Sequence, residues 1–234
     1  MKNSITNRLT QGVKLTVRLD FMEVISTNIA KPTTIQWCGQ DVQTGIYKYA
    51  VETPIFLGLE DVENDHVLDR RYHGGADKAC YLYSADHYPF WKEKYPDLEW
   101  KWGMFGENLT VSGLNEAEIR IGDCFQIGEA VVQVTQPRQP CFKLGVRFGD
   151  QTVVDDFWNA PFPGVYVRVI QEGHVHQGDT LRLLERNEES LSLSRVFSIF
   201  RANRTNIELM NKALEEPFLA ESCRKNIQKI LKQN

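Results

Sequence analysis

The middle of this 234-residue chain is a succession of short apolar runs at period two, and that rhythm restricts its fold more than any other feature. In the run VYVRVI, Val165, Val167 and Val169 alternate with Tyr166 and Arg168, the period of a half-buried strand. Cys124–Ile127 and Ala130–Val134 are β-rich runs parted by Gly128-Glu129. Glycine at the first position of a two-residue loop suits a type II′ turn, so these runs are predicted to form an antiparallel hairpin. Gly122-Asp123 and Gly178-Asp179 each precede a strand-like run, CFQI and TLRL, and further strands are expected at 23–27, 51–57 and 79–83. So many short strands at this turn spacing predict a mainly β barrel rather than a parallel α/β sheet. One helix is expected near Asp86–Tyr95, with Asp86 as cap so that Pro89 falls in the first turn, where no N–H is required. After Glu185 the apolar spacing becomes helical, over 194–201, 207–216 and 221–232. The expected organisation is an N-terminal extension at 1–21, a β-barrel domain at 22–185 and a small three-helix domain at 186–234. Because Met22 directly precedes the strand-like EVIST, translation is expected to begin there, which would make residues 1–21 dispensable.

Hydrophobic residues are 42% and charged residues 25%, which excludes a disordered or collagen-like chain. No apolar stretch approaches the ~18–20 residues that span a bilayer. The N-terminus lacks the apolar core of a secretion signal. Five cysteines, an odd number with no C-x-x-C, argue against a disulfide framework and a structural zinc site, so a cytoplasmic protein without a membrane partner is expected. The net charge of −4 divides unevenly: residues 1–21 carry +3, residues 186–234 carry nine Lys/Arg against six acids, and residues 22–185 carry −10. So acidic a body argues against a nucleic-acid partner. Yet six of its fourteen basic residues cluster as Arg70, Arg71 and Lys78, then Arg138, Lys143 and Arg147. That clustering suits a local anion site or a set of surface charges, and charge alone leaves both open.

Three segments bear chemistry. Cys141 lies in Thr135-Gln136-Pro137-Arg138-Gln139-Pro140-Cys141-Phe142-Lys143, where two prolines end the preceding strand or leave it an edge and put the thiol on a stiff loop. Nearby cations favour the thiolate that attacks electrophiles and binds soft metals, although a buried inert cysteine has the same sequence. In Arg71-Tyr72-His73-Gly74-Gly75-Ala76-Asp77-Lys78 the paired glycines can bring N–H groups close to an anion while Arg71, His73 and Lys78 add charge. In Gly106-Glu107-Asn108-Leu109 the amide of Asn108 both donates and accepts, and Glu107 is read as part of a surface turn. Cys38, Cys80 and Cys124 read as core, Cys223 as structural, and His174 and His176 as an exposed turn.

Taken in order, HGGADKA, FGENLT and QPRQPCFKLG resemble the signature of MOSC domains, and within that family the chain is most similar to the bacterial YiiM-type subgroup, from about Val24 through Leu184. The resemblance implies a MOSC-type β-barrel that binds a molybdenum cofactor (molybdopterin), with Cys141 as the metal ligand. It implies Arg71, Gly74, Gly75, Lys78, Asn108 and Arg138 as cofactor or substrate contacts. It implies reduction of N-hydroxylated substrates such as 6-N-hydroxylaminopurine to the amine, with oxygen leaving as water and His73 delivering a proton. No flavin, haem or iron–sulfur motif is visible, so electrons are expected from a separate reductase. Two other functions fit the same family: sulfur transfer through a Cys141 persulfide, and non-enzymatic carriage of the cofactor.

Overall fold

A computed structural model describes residues 21–66 and 74–233. The expectations for residues 1–20, Arg70, Arg71 and His73 fall outside the described residues. The sheet is built from β1 (Glu23–Ala30), β4 (Lys48–Val51), β6 (Cys80–Ser84), β7 (Leu109–Ser112), β8 (Cys124–Ile127), β9 (Ala130–Pro137), β10 (Val165–Gln171) and β12 (Leu181–Glu185). These eight strands lie in the order β12-β8-β9-β10-β6-β7-β1-β4. Neighbours are antiparallel except β6 and β7, which run parallel. Two small pairs stand outside this sheet. One joins β2 (Thr33–Trp37) to β3 (Gln40–Thr44), the other β5 (Ile55–Leu57) to β11 (Gly173–Val175). The helices are α1 (Tyr88–Lys94), α2 (Phe142–Phe148), α3 (Thr152–Asn159), α4 (Leu193–Ser198), α5 (Ile207–Glu215) and α6 (Glu221–Leu231). None is long and apolar enough to cross a membrane.

The architecture is a mixed, sheet-dominated fold with several helices. The β8–β9 hairpin forms as its sequence predicts, with Ile127 opposite Ala130 across Gly128, whose φ of 54° no β-branched residue adopts cheaply. A barrel is not seen as a continuous ladder. The ends of the sheet approach through one bridge, Glu23 to Thr180, flanked by hydrogen bonds from Val24 N to Asp179 O (2.9 Å) and from Leu181 N to Met22 O (2.9 Å). Strand β9 outlasts its neighbour β8, which ends opposite Gln133, and runs on beside β10 to Pro137. There the ladder has one side only, as a proline without an N–H requires. The carbonyl of Thr135 on that free side accepts from Ala220 N (3.1 Å), just ahead of α6.

Two hydrophobic clusters hold these parts together. The larger joins inward residues of the sheet, such as Val132, Val134, Val165 and Val167, to Val196, Ile199, Met210, Ile227 and Ile230 of the C-terminal helical segment. The smaller is aromatic and gathers Tyr83, Tyr88, Trp91, Phe105, Phe148 and Phe157. Trp91 is fully buried, and its Nε1 donates to the Tyr83 hydroxyl (2.7 Å), which leaves no polar atom of the ring unsatisfied. Burial of side chains this size stabilises by roughly 1.5–3 kcal/mol each.

Two local expectations are corrected. Ser84, not Asp86, opens the helical turn: its Oγ accepts from Asp86 N (3.3 Å) and a 3-10 turn over Ala85–His87 precedes α1. Pro89 is thereby in the first turn of a helix that begins two residues later, and Asp86 is engaged elsewhere, accepting from Gly113 N (2.7 Å). Cys38 is not core. It sits exposed at the tip of the β2–β3 hairpin with φ 51°, beside Gly39 at φ 75°. Positive φ at both central residues is the signature of a type I′ turn.

Candidate functional site

The Pro137–Cys141 segment connects β9 to α2, and Cys141 is the residue that starts this helix, half-buried and in extended conformation (φ −136°, ψ 172°). The stiff loop expected from the two prolines is therefore a short strand-to-helix link. It borders a cleft that encloses about 610 Å³, open mouth included. Cys141, Arg138, Lys143, Lys78 and Asn108 line it together with Lys48, His66, Thr44, Gly45, Ile46, Ala79, Tyr81, Gly106 and Tyr166. Residues from all three sequence segments thus meet in one place. Among the described residues, four of the lining side chains are lysine or arginine, and none is a carboxylate.

Arg138 is buried, with its guanidinium 5.1 Å from the centre of the Tyr81 ring and 5.5 Å from that of Phe157. Burial works against its charge, but Tyr81, Tyr166 and Cys141 outweigh that effect and hold its pKa above the ordinary arginine value. Its Nη1 is buried and has no hydrogen-bond partner among the described residues. Burial in turn pushes the Tyr81 and Tyr166 hydroxyls up, with Arg138 pulling the other way. Lys78 ends a 3-10 turn that begins after Gly75. Gly75 has φ 88°, a conformation that a side chain would strain, and its carbonyl accepts from Lys78 N (2.8 Å). Burial lowers the pKa of Lys78, while Cys223 and Asp77 partly restore it.

Asn108 lines the cleft with its amide already tied to the protein. Its Oδ1 accepts from Tyr81 N (3.3 Å) and its Nδ2 donates to Asp65 Oδ2 (2.9 Å). Asp65 also accepts from Ala30 N (2.9 Å) and pairs with Lys48 Nζ, with side chains 1% and 7% exposed. This buried Lys48–Asp65–Asn108 chain stiffens the wall. Glu107, expected on the surface, is fully buried: Tyr88 Oη (2.5 Å), Gly103 N (2.9 Å), Phe105 N (3.1 Å) and Thr110 Oγ1 (2.8 Å) all donate to it. Gly45 lets the opposite wall approach, because a Cβ there would lie 1.9 Å from the carbonyl oxygen of His66.

Sequence reading missed Lys48, Asp65 and His66, which come from two strand-and-loop stretches without any local motif. Only the long-range pairing of Lys48 with Asp65 reveals them. It also missed Trp37, whose ring stacks on Phe142 at 4.6 Å and brings the β2–β3 hairpin to the residue after Cys141.

Comparison with known proteins places this arrangement. Residues 69–182 match the family model for the MOSC domain. YflK of Bacillus subtilis is 41% identical over 206 residues, spanning 88% of this chain and 93% of that protein. A Gibberella moniliformis protein named a reductase is 32% identical over 183 residues, but this chain spans only 32% of its length. The crystal structure of YiiM from Geobacillus stearothermophilus superposes with a TM-score of 0.76 at 34% identity, covering 90% of this chain and 99% of that one. On the family match over 69–182 and the likeness to YiiM over nearly the whole of that chain, this chain belongs to the MOSC-domain proteins, and among them to the YiiM type.

Proposed function

We propose that the cleft binds a molybdenum cofactor and that the chain uses it to reduce N-hydroxylated compounds, with Cys141 holding the metal. One observation carries the reading: Arg138, buried in the wall that Cys141 also lines, has an Nη1 with no hydrogen-bond partner among the described residues. An unsatisfied buried donor costs on the order of 1–3 kcal/mol, and an anionic oxygen of a ligand would remove that cost with a charge-assisted bond. The residues present fit the group, since a thiolate suits a soft metal and Lys78, Arg138 and Lys143 suit a phosphate. When bound, the cofactor supplies the two-electron redox chemistry that no side chain here can provide.

The protein's own part is binding, orientation and proton delivery. Arg138, Lys78 and Lys143, with backbone N–H groups of Gly74 and Gly75, grip the anionic end, and Arg71, close by in sequence, adds a further cation. Asn108, locked by Asp65 and Lys48, keeps the wall from yielding when the ligand enters. His73 delivers a proton to the substrate nitrogen, and His66, a residue of the cleft lining, serves the leaving oxygen. The net reaction turns R–NHOH, two electrons and two protons into R–NH2 and water, with 6-N-hydroxylaminopurine as the test substrate. Electrons come from a separate reductase. The relative named a reductase, most of whose length lies beyond its match to this chain, supports that division of labour. A reducing cytoplasm, which keeps the Cys141 thiol available, is the setting that fits.

The test is the molybdenum content of wild type and Cys141→Ala, both purified from cells that make the cofactor. Near-stoichiometric metal is expected in the wild type, at least tenfold less in the variant, with turnover of hydroxylaminopurine by the loaded wild type alone. Folded wild type that takes up no molybdenum overturns the proposal and favours sulfur transfer through a Cys141 persulfide.

A further inference from the structure

The Pro137–Cys141 segment is a thin partition. Arg138 and Cys141 line the cleft on one side, whereas Gln139 lines a second groove on the other, against α6 and the turn after α4. Gln139 Oε1 accepts from Asn226 Nδ2 of α6 (3.0 Å), and its Nε2 is buried without a partner. Trp158 and Phe200, with ring centroids 6.0 Å apart, form an apolar floor. Arg201, Arg204 and Lys229 supply the charge, and no carboxylate lines the groove, although Asp155 pairs with Arg201 from outside it (2.7 Å). This cationic face belongs to the +3 segment of a chain whose body carries −10. An acidic partner is repelled by most of the molecule and steered here.

We propose that this groove docks an acidic electron-carrier protein and that electrons cross the 138–141 partition to the cleft. The inference rests on the reductase reading, because R–NHOH takes two electrons and two protons to give R–NH2 and water, and the chain has no flavin, haem or iron–sulfur motif to supply them. A carrier seated in the groove is separated from Cys141 by the width of one chain segment. Its apolar contacts would fall on Trp158 and Phe200, and its acidic rim on Arg204 and Lys229.

The test compares molybdenum-loaded wild type, Arg204→Glu/Lys229→Glu, and a control, Lys92→Glu/Lys101→Glu. The control reverses two charges beside Trp100 and Trp102 in another groove that shares no residue with the cleft. An acidic [2Fe–2S] ferredoxin with its NADPH-linked reductase serves as donor, and reduced methyl viologen as a small donor that needs no dock. Ferredoxin-driven reduction of hydroxylaminopurine should fall at least tenfold in the groove variant, and calorimetric affinity for oxidised ferredoxin likewise. The control should stay within twofold, and viologen-driven rates within twofold throughout. An unchanged ferredoxin rate in the groove variant, an equal fall in the control, or no ferredoxin binding by wild type overturns the dock. Absence of viologen-driven turnover in loaded wild type overturns the reductase reading instead, and the calorimetry then decides the docking surface by itself.

Discussion

A lysine that lines an anion site under partial burial carries a charge that pH removes early. Lys78 has its pKa lowered by burial, with Cys223 and Asp77 offsetting part of the effect. As pH rises it therefore loses its proton before an ordinary lysine would, and its grip on an anion goes with it. The sign for stability is opposite: because the fold disfavours the charged form, stability from this group increases as pH climbs through the lowered pKa to the ordinary one. Molybdenum retained after gel filtration across the alkaline range should thus decline at lower pH in wild type than in Lys78→Arg. Lys78→Met should retain about tenfold less at neutral pH, a loss of ~1.4 kcal/mol. At this scale the sequence exposed what its prolines and glycines mark, namely Cys141, Arg138 and Lys78. It hid Lys48 and Asp65, seventeen positions apart and buried against each other, because a lysine in YKYA has the pattern of any surface residue. Asn108 was legible as a polar residue of the site but not as one already spent on Tyr81 and Asp65.

Among the elements, the turn that carries Glu107 is the most exacting. Its carboxyl has a raised pKa because burial outweighs the hydrogen bonds from Tyr88, Thr110 and Gly103 that pull it down. The stability it contributes is therefore greatest in acid and falls as pH rises from the ordinary carboxylate range through the raised value. Glu107→Gln cannot titrate and should lose that slope. Its amide NH2 would face a backbone N–H that now meets a carboxylate oxygen, so in mild acid it should be less stable by about 1–3 kcal/mol, with the gap narrowing toward neutrality. Chemical denaturation at several pH values measures both effects. The β8–β9 hairpin and β10 were readable because one face of each is apolar and the turn residues are orthodox. The β2–β3 hairpin was not, since TTIQWCGQDVQT has only Ile35, Trp37 and Val42 as apolar residues on one face and places a cysteine where φ is positive, a choice that turn chemistry does not signal. Asp86 misled for a related reason, because Ser84 and Asp86 both have capping side chains, and the contact of Asp86 with Gly113 is long-range.

At the scale of the whole molecule, the change of periodicity at Glu185 marks where strands give way to helices, but period says nothing about which faces meet. The helical segment shares one hydrophobic cluster with the sheet, and Trp158 stacks on Phe197 at 5.3 Å. Arg186, the first residue after the change, pairs at 2.6 Å with Asp123, which is fully buried. Cutting the chain after Glu185 would strip that cluster and strand a buried charge, a cost of about 3–5 kcal/mol for the ion pair alone. Calorimetry of the full chain should show a single unfolding transition, and a chain ending at Glu185 should show none that is cooperative. Two separated transitions, or a stable truncated chain, would contradict a shared core. The parallel pair of β6 beside β7, the one such pair among the described residues, has a consequence of another kind. Residues 85–108 must cross over before Leu82 can meet Leu109, so this part of the sheet cannot be assembled hairpin by hairpin. Three of the five tryptophans, Trp91, Trp100 and Trp102, ride on that crossover. Refolding followed by tryptophan emission should accordingly weight the closing of the crossover, while Trp37 in the β2–β3 hairpin and Trp158 in α3 report on the rest.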